Sequence, residues 1–342
     1  MCSQRMNKRL VLHIGLHKTA TTMLQMNFYP RFSGFLGRHY ARDTFGKSFI
    51  ATPEKIFNEF EDVIVSYCQG QDTWEQALSR WVKGLDFSTN PVQILSNEHL
   101  TWWPSPLGLN SSLGPVHEPS DSDTPRRGQH PMMIFLERIR NFLPKEIDLL
   151  TIVTLRNQPE FLASWAAWNG VSEQGAIARV IERQDAFIDF FSLVTDLEKV
   201  IGKSNNLTLL FEDGVEKNCE KIIAFAGLEI LDSGSTFEFQ KKEESSVREN
   251  VGRVGDASWK LNNIPFYARF RLVVWARTVA GRRAPLLIPI VRGMRNIFLS
   301  VAQRPRILSL SDTERVVVRE YCAPSNLLLA QHLKRDLVSL GY

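Results

Sequence analysis

Lys18, Thr19, Thr21 and Thr22 stand where a short apolar run gives way to a segment able to start a helix, in the stretch RLVLHIGLHKTATTMLQ from Arg9 to Gln25. Leu10, Val11, Leu12 and Ile14 read as a buried strand, Gly15 permits a tight exit, and Thr19 to Gln25 can begin a helix. The first N–H groups of a helix lack intrahelical partners, and the helix dipole places partial positive charge beside them. An anion is the natural occupant of such a turn, with Lys18 as its charged partner. A nucleoside-triphosphate loop would put glycines where Leu12 and His17 stand. The lysine-threonine pair survives without them, which suits a shorter cradle for a terminal 5′-phosphate better than a wrap around a β-phosphate.

A second strand-to-helix turn follows in LLTIVTLRNQPEFLASWAAWN, Leu149 to Asn169. Leu149 to Leu155 is a strand rich in β-branched residues, and Pro159 sits where a helix start tolerates it. Arg156 lies at the strand's end and Ser164 on the following helix. A guanidinium suits bidentate phosphate recognition, and a hydroxyl adds a further donor.

GLHKTATTMLQ resembles the 5′-phosphosulfate loop of sulfotransferases that use 3′-phosphoadenosine 5′-phosphosulfate (PAPS), with Ala20 in place of a usual glycine and Met23 where some relatives carry a tryptophan. The Arg156…Ser164 pair is similar to that family's 3′-phosphate ligands. LTLLFEDGVEKNCEKIIAFAGL, Leu207 to Leu228, resembles a later strand, acidic turn and amphipathic helix of the family. YCAPSNLLL, Tyr321 to Leu329, resembles a Pro-Ser-Asn-x-x-Leu helix start found near the end of bacterial members. VRENVG, Val247 to Gly252, falls where a late loop completes the 3′-phosphate pocket, with Arg248 and Asn250 as its donors. The resemblance implies a P-loop NTPase-like fold and transfer of a sulfuryl group from PAPS to a hydroxyl or amine, with no metal. It also implies that Gly15, Lys18, Thr19, Ala20, Thr21, Thr22, Arg156, Ser164, Arg248 and Asn250 hold the donor.

The base that takes the acceptor's proton is expected at the end of the strand in VQILSNEHL, Val92 to Leu100. Glu98 and His99 are adjacent there, and strand alternation turns them to opposite sides. The similar bacterial Ser-x-Glu pattern favours Glu98, with His99 the other candidate. His17 either touches the sulfuryl group or shapes the loop, and His13, interrupting an apolar strand, calls for a buried partner.

These residues need a frame. Apolar runs at 10–14, 92–95, 149–155 and 207–211 alternate with helix-length segments, which implies an α/β fold: three layers, α/β/α, around a mainly parallel sheet, in one domain spanning residues 1–342. Residues 104–131, rich in proline, serine and glycine, read as a long surface loop, either a lid over the site or a disordered segment. Trp102 and Trp103 at its root either line an acceptor pocket or plug the core. The scattered cysteines Cys2, Cys68, Cys219 and Cys322 suggest reduced thiols of a cytoplasmic protein, with Cys219 beneath the core.

From 257 to 311 there are ten Lys/Arg and no Asp/Glu, while the whole chain carries +4, leaving the rest at 4 minus 10, or −6. Arginine mixed with aromatic and aliphatic residues there suits an anionic glycan or peripheral contact with the inner face of a bacterial membrane. Amphipathic helices packed on the sheet are the plain alternative. No nucleic-acid module is evident. The expected acceptor is a carbohydrate or glycolipid; a nucleotide-dependent kinase, and a non-catalytic nucleotide- or glycan-binding protein of the same fold, are the other readings.

Overall fold

A computed structural model describes residues 8–16, 19, 21–42, 49–53, 55–68, 71–97, 100, 132–169, 188–229 and 310–342. Its centre is a sheet of four parallel strands, β1 (Lys8–Gly15), β4 (Val92–Ser96), β5 (Ile147–Leu155) and β6 (Asn206–Leu210), in the order β4-β1-β5-β6. Each of the four apolar runs is a strand here. The sequence gives no comparable signal for β2 (Arg38–Arg42) and β3 (Phe49–Pro53), which pair antiparallel as a separate two-stranded sheet.

Alternation along the strands splits the core into two layers. Leu10, Leu12 and Ile14 of β1 join Leu149, Val153 and Leu155 of β5 on one face, with Leu95 of β4 and Leu210 of β6. That face is covered by α2 (Lys55–Cys68), α3 (Trp74–Lys83), α4 (Met132–Phe142), α5 (Gln158–Asn169), α6 (Phe190–Ile201) and α8 (Asp312–Leu333). Val11, Ile94, Leu150, Ile152 and Leu209 point the other way, onto Leu24, Phe28, Tyr29, Phe32 and α7 (Val215–Ala226), whose Cys219 and Ile222 are buried. The expected α/β/α layering is therefore present. With strands buried on both faces, near-continuous apolar runs follow.

The chain leaves β1 for β4 on one side and reaches β5 on the other side of β1. The carboxyl ends of β4, β1 and β5 flank such a switch in strand order, the usual place for a ligand crevice in an open α/β sheet. Register aligns these ends: His13 lies opposite Ser96 and Gly15 opposite Thr154.

Two local expectations are corrected. The helix expected from Thr19 starts at α1 (Thr21–Met23), because the Thr19 hydroxyl donates to Leu16 O at 2.6 Å and holds a turn; it then widens into a π-helical turn, Leu24–Phe28. The Pro-Ser-Asn segment starts no helix. It lies inside the 22-residue α8, whose start is set by the Ser311/Glu314 capping box. Pro324 is on the exposed side, while Val318, Cys322, Asn326 and Leu329 form the buried face.

Candidate functional site

β1 delivers the loop. A Cβ on Gly15 would stand 2.0 Å from Thr21 Oγ1, so the strand exit and the start of α1 approach as closely as they do only because residue 15 has no side chain. Thr19 and Thr21 are buried, and their hydroxyls lie 3.4 Å apart. The Thr19 side chain thus braces the turn of the loop. Thr22 lies in α1. His17, Lys18 and Ala20 are outside the described residues.

Below the loop a buried polar network joins three strands and the first helix. His13 Nδ1 is 2.8 Å from Ser96 Oγ, and His13 Nε2 is 3.5 Å from Thr154 Oγ1. Gln25 Nε2 donates to Ser96 O at 3.0 Å and to Ser96 Oγ at 3.1 Å. His13 is fully buried with the partner its position demanded, a structural role. Gln25 ties the helix that follows the loop to the end of β4, and Asn97 N donates to His13 O at 3.1 Å, carrying the pairing one residue past the strand. Glu98 and His99 come next in the chain and lie outside the described residues, as do Trp102, Trp103 and the segment 104–131.

The turn after β5 brings the expected second pair of residues together. Asn157 caps α5: its Oδ1 accepts from Glu160 N at 3.1 Å, and its carbonyl accepts the first helical bond from Phe161 N. Arg156 is held immediately before that helix start. Its Nη1 donates to Ser164 Oγ at 3.1 Å, its Nη2 is 3.8 Å from Glu160 Oε2, and its guanidinium lies 4.9 Å from the centre of the Phe211 ring. Burial lowers the Arg156 pKa from its ordinary value, while Glu160 and Glu212 oppose the shift; the group stays a cation. The two residues paired from the sequence are thus in direct contact.

Residues distant in the chain surround this turn. Glu212 of the acidic turn accepts from Asn157 N and Nδ2 at 2.9 and 3.0 Å and from the Tyr342 hydroxyl at 3.0 Å. Asp213 takes Lys221 at 2.6 Å and Arg335 at 2.6 and 3.1 Å. Burial pushes the Asp213 carboxyl up, but these cations and their hydrogen bonds outweigh it and hold it at about 2. Gln158 and Asn326 exchange two buried hydrogen bonds, 2.8 and 3.1 Å, which docks the Pro-Ser-Asn part of α8 onto the start of α5. Ser325 Oγ donates to Asp189, the N-cap of α6, at 2.5 Å. The available signal was a run of polar residues, Asn157, Gln158, Ser325 and Asn326, inside otherwise apolar segments.

Cys219 and Cys322 are buried, and burial pushes both thiols up to about 12, which favours the thiol over the thiolate. Among the described residues, no group of three or more His, Cys, Asp or Glu is placed to hold a metal, and no helix is long and apolar enough to cross a membrane. Arg248, Asn250 and the basic segment up to residue 309 lie outside the described residues.

No family model matches the chain, and no curated protein matches it. Among solved structures the chain is similar to the crystal structure of a sulfotransferase from Alicyclobacillus acidocaldarius, with 11% sequence identity over 97% of this chain and 98% of that one, and a TM-score of 0.47.

Proposed function

We propose that the protein is a sulfotransferase that moves a sulfuryl group from PAPS to a hydroxyl or amine of an acceptor, a carbohydrate or glycolipid. The observation that carries this reading is the direct Arg156–Ser164 hydrogen bond at the carboxyl end of β5, one strand from the loop that bears Lys18. A donor with phosphates at both its 5′ and 3′ positions needs two anion sites side by side. The missing side chain of Gly15 suits close backbone approach to the first of them.

In this mechanism the acceptor oxygen attacks sulfur in line. The new O–S bond forms as the bond from sulfur to the 5′-phosphate oxygen breaks, giving a sulfate ester and 3′-phosphoadenosine 5′-phosphate. Glu98 takes the acceptor's proton, and Lys18 with loop N–H groups neutralises the leaving phosphate oxygen. Arg156 and Ser164 bind the 3′-phosphate, joined by Arg248 and Asn250, and so place the donor for the transfer. His17 and His99 are the further candidates beside the reacting group. The basic segment 257–311 supplies acceptor or peripheral inner-membrane contact in the cytoplasm.

The test is release of 3′-phosphoadenosine 5′-phosphate from PAPS in the presence of a panel of carbohydrate and glycolipid acceptors. Lys18→Ala is expected to cut turnover by orders of magnitude, and Glu98→Gln to abolish it with donor affinity nearly intact. An inactive His99→Ala beside an active Glu98→Gln would transfer the base to His99. Acceptor-independent behaviour of all variants would sink the reading.

A further inference from the structure

Arg156 and Arg315 reach the same carboxylate. Glu160 Oε2 faces Arg156 Nη2 at 3.8 Å, and Glu160 Oε1 accepts a hydrogen bond from Arg315 Nη1. Arg315 comes from the first turn of α8, far away in the chain, and its Nε donates to Leu310 O at 3.2 Å, which fixes the direction of its fork. The two arginine side chains are 19% and 23% exposed, and Glu160 36%. Arg319, one turn further along α8, donates to Gly341 O at 3.3 Å and adds positive charge on the same side. Glu212, the other nearby acid, is already engaged by Asn157 and Tyr342.

One carboxylate therefore stands between two guanidiniums, an oxygen to each. Carboxylate and phosphate present oxygens with similar spacing and charge, and both are taken by arginine forks in the same way. Resting on the reading of Arg156 as a 3′-phosphate ligand, we propose that Glu160 keeps the place of the donor's 3′-phosphate between Arg156 and Arg315, and that Arg315 is a further ligand of that phosphate. Two cations then face a phosphate near its second ionisation, and the Glu160 carboxylate, repelled by it, swings toward water. The helix that carries Arg315 is docked on α5 through Asn326 and Gln158, so donor binding would draw the end of the chain and the β5–α5 turn into one unit.

The experiment is calorimetric titration of the full chain with 3′-phosphoadenosine 5′-phosphate and, separately, with adenosine 5′-monophosphate. The variants are Arg315→Ala, Arg315→Lys, Glu160→Gln and Arg156→Ala, each first checked by thermal melting. Arg315→Ala is expected to weaken the bisphosphate roughly tenfold and leave the monophosphate unchanged, as loss of a charged hydrogen bond would. Arg315→Lys, which keeps the charge and supports the test if the alanine variant folds poorly, recovers part of the loss. Glu160→Gln should tighten the bisphosphate about two- to fivefold, the size of a half-exposed charge interaction. Equal loss for both nucleotides in Arg315→Ala, no loss for either, or weaker binding in Glu160→Gln would overturn the proposal. Loss in Arg156→Ala with Arg315→Ala unaffected would overturn it while sparing the sulfotransferase reading, whereas failure of the unmodified protein to bind the bisphosphate would overturn both.

Discussion

Gly15→Ala tests the loop geometry without any ligand. The added Cβ would meet Thr21 Oγ1 at 2.0 Å, Thr21 Cγ2 at 2.9 Å and Thr21 Cβ at 3.0 Å. Thr21 is itself buried against the loop and β-branched, so its side chain has little rotameric room in the helix. Relief has to come from moving α1 away from β1. Overpacking of this kind costs about 1–3 kcal/mol. With unfolding entropy near 2.1 cal/mol/K per residue, a 342-residue chain melting as one unit loses about 1.4 °C per kcal/mol, so Tm should fall by about 1–4 °C. The sharper assay is a double-mutant cycle in urea. Thr21→Ala removes the two nearest atoms and leaves Thr21 Cβ at 3.0 Å, so Gly15→Ala should be much less harmful in that background, with a coupling of about 1–2 kcal/mol. Destabilisations that add within about 0.5 kcal/mol would show that residues 15 and 21 do not share this space, and the close approach of strand exit and helix would have to be abandoned.

Ser96→Ala should leave His13 and Gln25 each short of a buried partner and cost about 1–3 kcal/mol in urea unfolding; a cost below about 0.5 kcal/mol would mean the network is not holding the strand ends together. Asp213 makes stability depend on acid. Its folded pKa of about 2 lies below the unfolded value near 3.9, so its contribution is full above about pH 4 and is lost as pH falls through about 2, amounting to roughly 2 kcal/mol. Asp213→Asn should lose that stability at pH 7 and flatten the acid limb of the stability curve, and an unchanged limb would refute the assignment.

What could be read from the residues was whatever repeats with a short period or sits at a punctuation point. The four central strands show as apolar runs because both faces are buried, and Arg156 and Ser164 show through their likeness to the family's spacing, one just past a strand end and the other on the helix that Pro159 opens. Gly227, left-handed at the end of α7, closes that helix. The switch from α to π geometry after Met23 left no pattern to read, since the five residues Leu24–Phe28 are too few to show a changed period. Pro324 misled for a physical reason: proline signals a helix start, yet an exposed proline in a helix anchored by its own capping box is tolerated. The links from Gln25 to Ser96, Gln158 to Asn326 and Glu160 to Arg315 join residues distant in the chain, and side-chain pairing across layers has no local signature.

The measurement closest to the central claim is calorimetric titration of the purified protein with 3′-phosphoadenosine 5′-phosphate, compared with ADP and with ATP plus Mg²⁺, and repeated on Arg156→Ala. Tight binding of the bisphosphate in preference to both other nucleotides, weakened at least tenfold by Arg156→Ala, is the expected result. Preference for ATP with Mg²⁺, or binding of the bisphosphate that Arg156→Ala leaves intact, would contradict it.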